Sequence, residues 1–163
     1  MGVLSKARRA WLAAALAMSA GLAMAAPAQL PEFRTLDGAV VSPAKLHGKV
    51  TVVALFSVTC PFCMNEAPKL QRLHHANRKV LNVVAVSVDR KDALAGARAW
   101  VRKYGLTHTV TLDHARFEAV LGKAKGIPAL YVFDRAGRLV RSEVGEMMDE
   151  DFDDIARYAR GEQ

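Results

Sequence analysis

Two largely apolar runs, Val50 to Phe56 and Val80 to Val88, constrain the fold of this chain more than any other feature. Runs of this length that are rich in β-branched residues are typical of strands buried on both faces, as in a parallel sheet. The segment between them has room for a helix from Pro61 to about Asn77. A strand, a helix and a second strand in this order predict a parallel crossover unit.

The rest of the chain completes an α/β pattern. The later elements are predicted as a helix capped by Asp92 and ending before Gly105, an extended piece at 108–112, a weak helix at 114–121, hairpin strands at 129–133 and 138–144, and a final helix at 149–160. Residues 26–49 are predicted as a loop or an edge hairpin around Asp37-Gly38. Because the late hairpin should add antiparallel edge strands, we expect a central mixed β-sheet flanked by helices on both faces.

The first 25 residues have the composition of an export signal. A basic start, an apolar middle and a small-residue end follow one another: Lys6, Arg8 and Arg9, then Ala10 to Leu22, then Ala23-Met24-Ala25. The apolar stretch is shorter than the ~18–20 residues that span a bilayer comfortably, which favours a cleaved signal peptide over an uncleaved anchor. We therefore expect residues 26–163 to form one domain of a periplasmic or otherwise extracytoplasmic protein.

The charge pattern gives no sign of a nucleic-acid partner. The signal segment carries three positive and no negative residues, so its removal lowers the formal net charge from +7 to +4. The remaining lysines and arginines are scattered among aspartates and glutamates without a dense basic run, and no nucleic-acid binding is predicted.

The chain has two cysteines, Cys60 and Cys63, separated by two residues. A structural disulfide stabilises most when it closes a long loop, and this pair would close almost none. A zinc site would need two further ligands, and the adjacent His74 and His75 point in different directions on a helix. The pair is therefore predicted to perform dithiol–disulfide chemistry, with no metal and no cofactor.

The position of the pair assigns a role to each cysteine. Cys60 follows a buried strand and precedes a helix, with Pro61 in the first helical position. The unpaired N–H groups and the dipole at a helix start lower the pKa of a thiol placed there, so Cys60 is the expected nucleophile. Cys63 lies about one turn further on, where it can resolve a mixed disulfide on Cys60.

Two further features could belong to the same site. Glu66 shares a helix face with Cys63 and could tune its protonation, although a solvated surface glutamate would show the same spacing. Ile127 and Pro128 precede a strand. If their peptide bond were cis, the Ile127 backbone could face the disulfide and bind an extended substrate, although a proline at the start of an edge strand requires no function.

Together these landmarks resemble the TlpA/ResA branch of the thioredoxin superfamily, the exported thiol–disulfide oxidoreductases. The matching segments are Leu30-Pro31-x-Phe33, Asp37-Gly38, Leu46-x-Gly48-Lys49, Cys60-x-x-Cys63, Glu66-x-Pro68-x-Leu70, Val86-x-Val88-Asp89, Tyr104-Gly105-Leu106, Gly126-Ile127-Pro128, Tyr131-Val132-Phe133-Asp134 and Gly137. The resemblance implies a thioredoxin fold, a cis Ile127–Pro128 bond facing the cysteines, and Glu66 at the acidic tuning position.

The resemblance also implies a function and partners. It suggests a reductase of disulfide-bearing protein substrates, such as apocytochrome c before haem attachment, which is itself reduced by a membrane donor of the DsbD/CcdA type. We expect a monomer. Three positions depart from the family pattern: Thr59 and Phe56 stand where Trp is usual, and Ala129 stands where Thr is common. The change at Thr59 opens the surface beside Cys60, so the identity of the substrate stays open.

The residues leave other functions open. The same fold could act as a disulfide donor, because direction depends on a reduction potential that spans roughly −270 to −120 mV in this class. The segment at 58–61 is superficially similar to a peroxiredoxin loop, but the proline expected before Thr59 is absent. A metal chaperone would need histidines at a partner spacing that the chain does not show. The histidines are His47, His74, His75, His108 and His114.

Overall fold

The computed structural model describes residues 29–90 and 92–162, so the predicted signal peptide at 1–25 lies outside the described residues. The elements are β1 Phe33–Arg34, β2 Val40–Val41, a 3-10 turn at Pro43–Lys45, β3 Val50–Phe56, α1 Pro61–Asn77, β4 Leu81–Ser87, α2 Leu94–Tyr104, β5 Thr109–Thr111, α3 His114–Leu121, β6 Ala129–Phe133, β7 Leu139–Val144 and α4 Asp149–Arg160. None of the helices in this part of the chain combines the length and hydropathy needed to cross a bilayer.

Five strands form the central mixed sheet in the order β5-β4-β3-β6-β7. Strands β3, β4 and β5 are parallel, whereas β6 pairs antiparallel with β3 and β7 pairs antiparallel with β6. The α/β prediction is therefore confirmed. The prediction that both hairpin strands lie at the edge is wrong for β6. This strand pairs with β3 on one side and with β7 on the other, and all five of its residues are buried.

Alternate residues of β3 supply two cores on opposite faces of the sheet. Val50, Val52 and Ala54 pack with residues of α1 and α4 on one face. Val53 and Leu55 face the opposite side and pack with residues of α3 and of the β1–β2 hairpin, the loop or hairpin predicted around Asp37-Gly38. Every residue of β3 is buried, so the strand lies at the centre of the fold.

The helix ends follow local signals in most places. Gly105 adopts a left-handed conformation (φ 58°) and ends α2 as predicted. Asp92 is not the cap of that helix, however, because Ala93 occupies the N-cap position and Asp92 forms an exposed ion pair with Arg90. Helix α1 begins at Pro61, directly after β3, and this junction places the cysteines.

Candidate active site

Three chain segments meet at the edge of the central sheet where β3 and β4 end and β6 begins. Phe56, the last residue of β3, is aligned with Ser87 at the end of β4, because the two strands are parallel. Leu55 is aligned with Ala129 at the start of β6, because those strands are antiparallel. The segment that leads to Cys60, the residues after Ser87 and the loop ending at Pro128 therefore come together at this edge.

Cys60 and Cys63 form a disulfide with their Cα atoms 5.2 Å apart. Cys60 is the N-cap residue of α1, and its Sγ accepts a hydrogen bond of 3.2 Å from the backbone N–H of Cys63. Cys60 is partly exposed, whereas Cys63 is only 2% exposed. A partner molecule can thus reach the sulfur of Cys60 but not that of Cys63.

The Ile127–Pro128 peptide bond is cis, as the resemblance implied. The carbonyl oxygen of Ile127 lies 3.9 Å from the Sγ of Cys60, and Pro128 lines a cavity beside Cys63. The structure therefore brings this loop against the cysteines from the other side of the sheet edge.

Asp89, just after β4, anchors the turn that leads to Cys60. Its Oδ1 accepts a hydrogen bond of 2.6 Å from the Ser57 hydroxyl. Its Oδ2 accepts bonds from the backbone N–H of Val58 (3.0 Å) and the hydroxyl of Ser87 (2.7 Å). Partial burial alone would raise the pKa of Asp89, but these hydrogen bonds outweigh it and keep the pKa below its ordinary value. Asp89 is thus a stable negative charge.

Thr59, where the family pattern usually has Trp, is held by the same network. Because the Ser57 hydroxyl proton points to Asp89, the Thr59 hydroxyl, 3.0 Å from Ser57 Oγ, must be the donor in that contact. The Thr59 residue itself is exposed beside Cys60. Sequence analysis did not assign this role to Asp89. The available signal was a pair of short polar residues, Ser57 and Asp89, each placed at the end of a buried strand.

Glu66 faces inward rather than toward solvent, which excludes a solvated surface position. It is only 2% exposed, and neither carboxylate oxygen has a hydrogen-bond donor in reach. Burial raises the pKa of Glu66 to about 7. Two groups favour the ionised form and partly oppose this rise: the ammonium group of Lys69, and the backbone of Met147, although it does not reach hydrogen-bond geometry. The negative charge of Glu146 adds to the rise.

A small cavity connects Glu66 to the buried cysteine. Its lining includes Phe56, Cys63, Ala85, Trp100, Leu106, His108 and Pro128. Phe56, at the other position where the family usually has Trp, stacks on Trp100 of α2 with ring centroids 5.1 Å apart. His108 had no predicted role, and a single histidine before a short strand gives no sequence signal for one. In the described part of the chain, no three His, Cys, Asp or Glu side chains gather closely enough to hold a metal ion.

Known proteins match both the sequence and this architecture. The sequence profile of the Redoxin family matches residues 25–158. The chain is 28% identical over 117 residues to the thiol-disulfide oxidoreductase YkuV of Bacillus subtilis, covering 68% of this chain and 76% of that protein. Other relatives at 24% identity over 118 residues are named thiol-disulfide oxidoreductase ResA, for example in Bacillus anthracis, with 71% of this chain and 66% of that protein covered.

Two further matches concern a secreted protein and a solved structure. The soluble secreted antigen MPT53 of Mycobacterium tuberculosis is 35% identical over 75 residues, covering 46% of this chain and 42% of the antigen. A crystal structure of a thiol:disulfide interchange protein of the thioredoxin family from Chlorobium tepidum aligns with a TM-score of 0.70 at 27% identity. That alignment covers 83% of this chain and 97% of the Chlorobium chain. The expected thioredoxin fold and the resemblance to ResA-like oxidoreductases are thereby confirmed.

Proposed function

The chain belongs to the Redoxin family as a thiol–disulfide oxidoreductase of the thioredoxin fold, and we propose that it is an exported reductase of disulfides in protein substrates. The observation that carries this proposal is the unequal exposure of the cysteine pair. Cys60 is accessible at the start of α1, while Cys63 is buried one turn behind it. This arrangement supports an attacking thiol and a resolving thiol.

In the reduced enzyme, Cys60 is the nucleophile. The backbone N–H of Cys63 and the positive end of the α1 dipole stabilise its thiolate. The thiolate attacks a substrate disulfide, forms a mixed disulfide and releases one substrate thiolate. Cys63 then loses its proton and attacks Cys60 Sγ, which releases the second substrate thiolate. Two electrons have passed to the substrate, and the Cys60–Cys63 disulfide has formed.

Glu66 is the proposed acceptor for the proton of Cys63. Both residues line the same cavity, and a carboxyl group with a pKa of about 7 can both take up and release a proton near neutral pH. Below pH 7, Glu66 is already protonated, and the resolving step should be slower. This is the tuning role that the spacing of Glu66 and Cys63 suggested.

Ile127 and Pro128 are the proposed substrate-binding residues. The Ile127 carbonyl oxygen lies beside Cys60 Sγ, where it can accept a hydrogen bond from the backbone of an extended substrate. Phe62, which is 58% exposed between the two cysteines, adds an apolar contact for the same segment. Because Thr59 stands where the family pattern usually has Trp, the substrate can approach Cys60 from that side as well.

Export and partners complete the proposal. The signal-like composition of residues 1–25 and the similarity to a protein named as a secreted antigen support a periplasmic or otherwise extracytoplasmic location. We propose a monomer that is re-reduced by a membrane donor of the DsbD/CcdA type. Apocytochrome c is one candidate substrate, which the resemblance to the TlpA/ResA branch implies.

The proposal is tested with a disulfide-bonded model protein, a dithiol donor and three forms of the enzyme. The wild type should catalyse reduction, whereas Cys60→Ser should give only the uncatalysed rate. Cys63→Ser should form a mixed disulfide through Cys60 that accumulates stoichiometrically and is visible by mass spectrometry. Catalysis that survives in Cys60→Ser would overturn the assignment.

The direction of electron flow is tested separately by equilibrating the cysteine pair with glutathione redox buffers. A reduction potential near that of reducing thioredoxins, about −270 mV, supports a reductase. A potential near about −120 mV would instead identify a disulfide donor with the same site residues.

A further inference from the structure

The cavity beside Cys63 concentrates polar atoms that have no partner. Among the described residues, four buried side-chain atoms lack a hydrogen bond: both carboxylate oxygens of Glu66, Nε2 of His108 and Nδ1 of His74. Three of these four belong to Glu66 and His108, which line the same cavity as Cys63. Unpaired buried polar atoms are rare in folded proteins, because each has given up its hydrogen bonds with water. Their convergence on one cavity indicates a shared task.

The hydrogen-bonding state of His108 follows from its one contact. Its Nδ1 lies 3.3 Å from the carbonyl oxygen of Thr109, which can only accept a hydrogen bond. In the neutral ring, Nδ1 therefore carries the proton, and the unpaired Nε2 bears a lone pair. His108 thus offers a hydrogen-bond acceptor in the cavity and no donor.

Glu66 can supply the missing donor only when its carboxyl group is protonated. The space open to the centre of a water molecule in the cavity is about 10 Å³, close to what one bridging water needs. The cavity that both groups line can therefore hold one water that joins them.

We propose that His108 is a positioning residue of the redox site, whose Nε2 accepts a hydrogen bond from the protonated carboxyl group of Glu66, directly or through one water. This inference rests on the proposed roles of Cys63 and Glu66. In the resolving step, the Cys63 proton moves to ionised Glu66, and the electron pair left on sulfur forms the bond to Cys60. The bond between Cys60 and the substrate sulfur breaks at the same time, and its electron pair leaves with the substrate thiolate. His108 then stabilises the newly protonated Glu66, and by doing so raises the pH at which Glu66 becomes a base.

Burial, aided by one neighbouring group, keeps His108 in the acceptor state. Burial lowers its pKa to about 4, the Thr109 carbonyl partly opposes this, and the charge of His74 lowers it further. The edge of the His74 ring faces His108, with the ring centroids 5.9 Å apart. His108 is therefore neutral throughout the range in which Glu66 titrates, so it accepts a hydrogen bond and does not compete for the proton.

The other titratable groups near the cavity act on Glu66 or on His74. Lys69 and Glu146 act on Glu66. Burial lowers the pKa of His74, and the nearby side chains of His75, Arg78 and Lys49 lower it further. The cavity lining from β3, β4 and α2, together with Pro128, contains no titratable side chain. Because His108 is neutral, a single substitution there can remove the proposed hydrogen bond to Glu66 without changing any charge in the cavity lining.

The direct test measures the titration of Glu66 by NMR of its ¹³C-labelled carboxyl group in the oxidised protein. His108→Phe keeps a ring but removes the acceptor, and it should lower the Glu66 pKa by about one unit, a tenfold change in the protonation equilibrium. His108→Gln returns an acceptor to the position of Nε2 and should restore most of the shift. His75→Asn, an exposed change on the same helix as His74, is the control and should leave the midpoint unchanged.

If His108→Phe does not fold, His108→Asn replaces it, because its amide can still donate to Thr109 while leaving no atom at Nε2. A Glu66 midpoint that is unchanged or raised in a folded variant would overturn the inference.

A kinetic readout separates this inference from the proposed function. The rate at which Cys63 resolves a mixed disulfide on Cys60 should show a pH midpoint that moves down together with the Glu66 titration in His108→Phe. The plateau rate at high pH should stay the same, which a general loss of structure would not produce. An enzyme without any disulfide exchange refutes the proposed function, whereas normal exchange with an unmoved midpoint refutes only the role of His108.

Discussion

Asp89 and Glu66 are two carboxyl groups near the same disulfide, and they behave in opposite ways. Burial acts in the same direction on both, because it disfavours the charged form. Asp89 accepts three hydrogen bonds and its pKa falls below the ordinary value. Glu66 accepts none and its pKa rises to about 7. Burial and hydrogen bonding together therefore decide which carboxyl group is a fixed anchor and which one exchanges a proton: Glu66 is the more deeply buried and accepts no hydrogen bond, whereas three hydrogen bonds outweigh the partial burial of Asp89.

The largest expected effect comes from removing the anchor. Asp89→Ala leaves the Ser57 and Ser87 hydroxyls and the Val58 N–H without their acceptor. Three hydrogen bonds to a charged group, at about 1.5 kcal/mol each, give an expected loss of about 4.5 kcal/mol in the free energy of unfolding. Urea denaturation at pH 7 measures this loss.

Asp92→Ala is the matched control, because Asp92 forms only an exposed ion pair with Arg90. It should change the free energy of unfolding by less than about 1 kcal/mol. If Asp89→Ala is no more harmful than Asp92→Ala, then the network around Asp89 does not hold the turn before Cys60.

The next effect concerns the pH dependence of stability, in which Glu66 and His108 oppose each other. Folding raises the pKa of Glu66 from 4.5 to about 7, so the folded state binds more protons and stability falls as pH rises through this range. Folding lowers the pKa of His108 from 6.5 to about 4, so the unfolded state binds more protons and stability rises with pH. Each displacement corresponds to roughly 3 kcal/mol.

Between about pH 4.5 and 6.5 the two contributions nearly cancel in the wild type. Glu66→Gln should unmask a rise of roughly 3 kcal/mol in the free energy of unfolding between pH 4 and 6.5. His108→Asn should unmask a fall between pH 4.5 and about 6, of roughly 2 kcal/mol, because loss of the His108 acceptor also lowers the Glu66 pKa by about one unit. Urea denaturation at closely spaced pH values measures the profiles. A wild-type profile as steep as either variant would contradict the cancellation.

The smallest effect is expected at Thr59. Thr59→Val removes the hydroxyl that donates to Ser57 but leaves the bond from Ser57 to Asp89 in place. The free energy of unfolding should fall by less than about 1 kcal/mol. Ser57→Ala, which removes the link between the turn and Asp89, should cost more when both are measured in the same denaturant. Equal losses would show that Thr59 is as important to the network as Ser57.

Local signals were enough to predict much of the fold. The apolar run of β3 and the proline at the first position of α1 depend only on neighbouring residues, and both the strand Val50–Phe56 and the helix Pro61–Asn77 are confirmed. The hairpin of β6 and β7 was also visible locally. The position of β6 beside β3 could not be predicted from local signals, because it depends on contacts between distant segments.

The same distinction applies to the site. The cysteine pair and Glu66 lie on one helix, so their spacing predicted their proximity. The bond between Ser57 and Asp89 joins residues 32 positions apart and exists only because β3 and β4 end at the same edge. Spacing also could not decide whether Glu66 is exposed. Its burial depends on the segment around Met147, which packs onto α1 from the far end of the chain.

The place of β6 inside the sheet, next to the central strand β3, has a consequence for the order in which the molecule can assemble. Thr51 is aligned with Phe133, so the central strand finds its second neighbour only after most of the chain has been synthesised. Pairings between segments so far apart slow folding, because a long loop must close before they form. A nascent chain that already contains both cysteines therefore lacks the Ile127–Pro128 loop that lies against Cys60 in the folded protein. Until β6 docks, the central strand β3 lacks one of its two neighbours, and the helix start that carries the cysteines follows a strand paired on one side only.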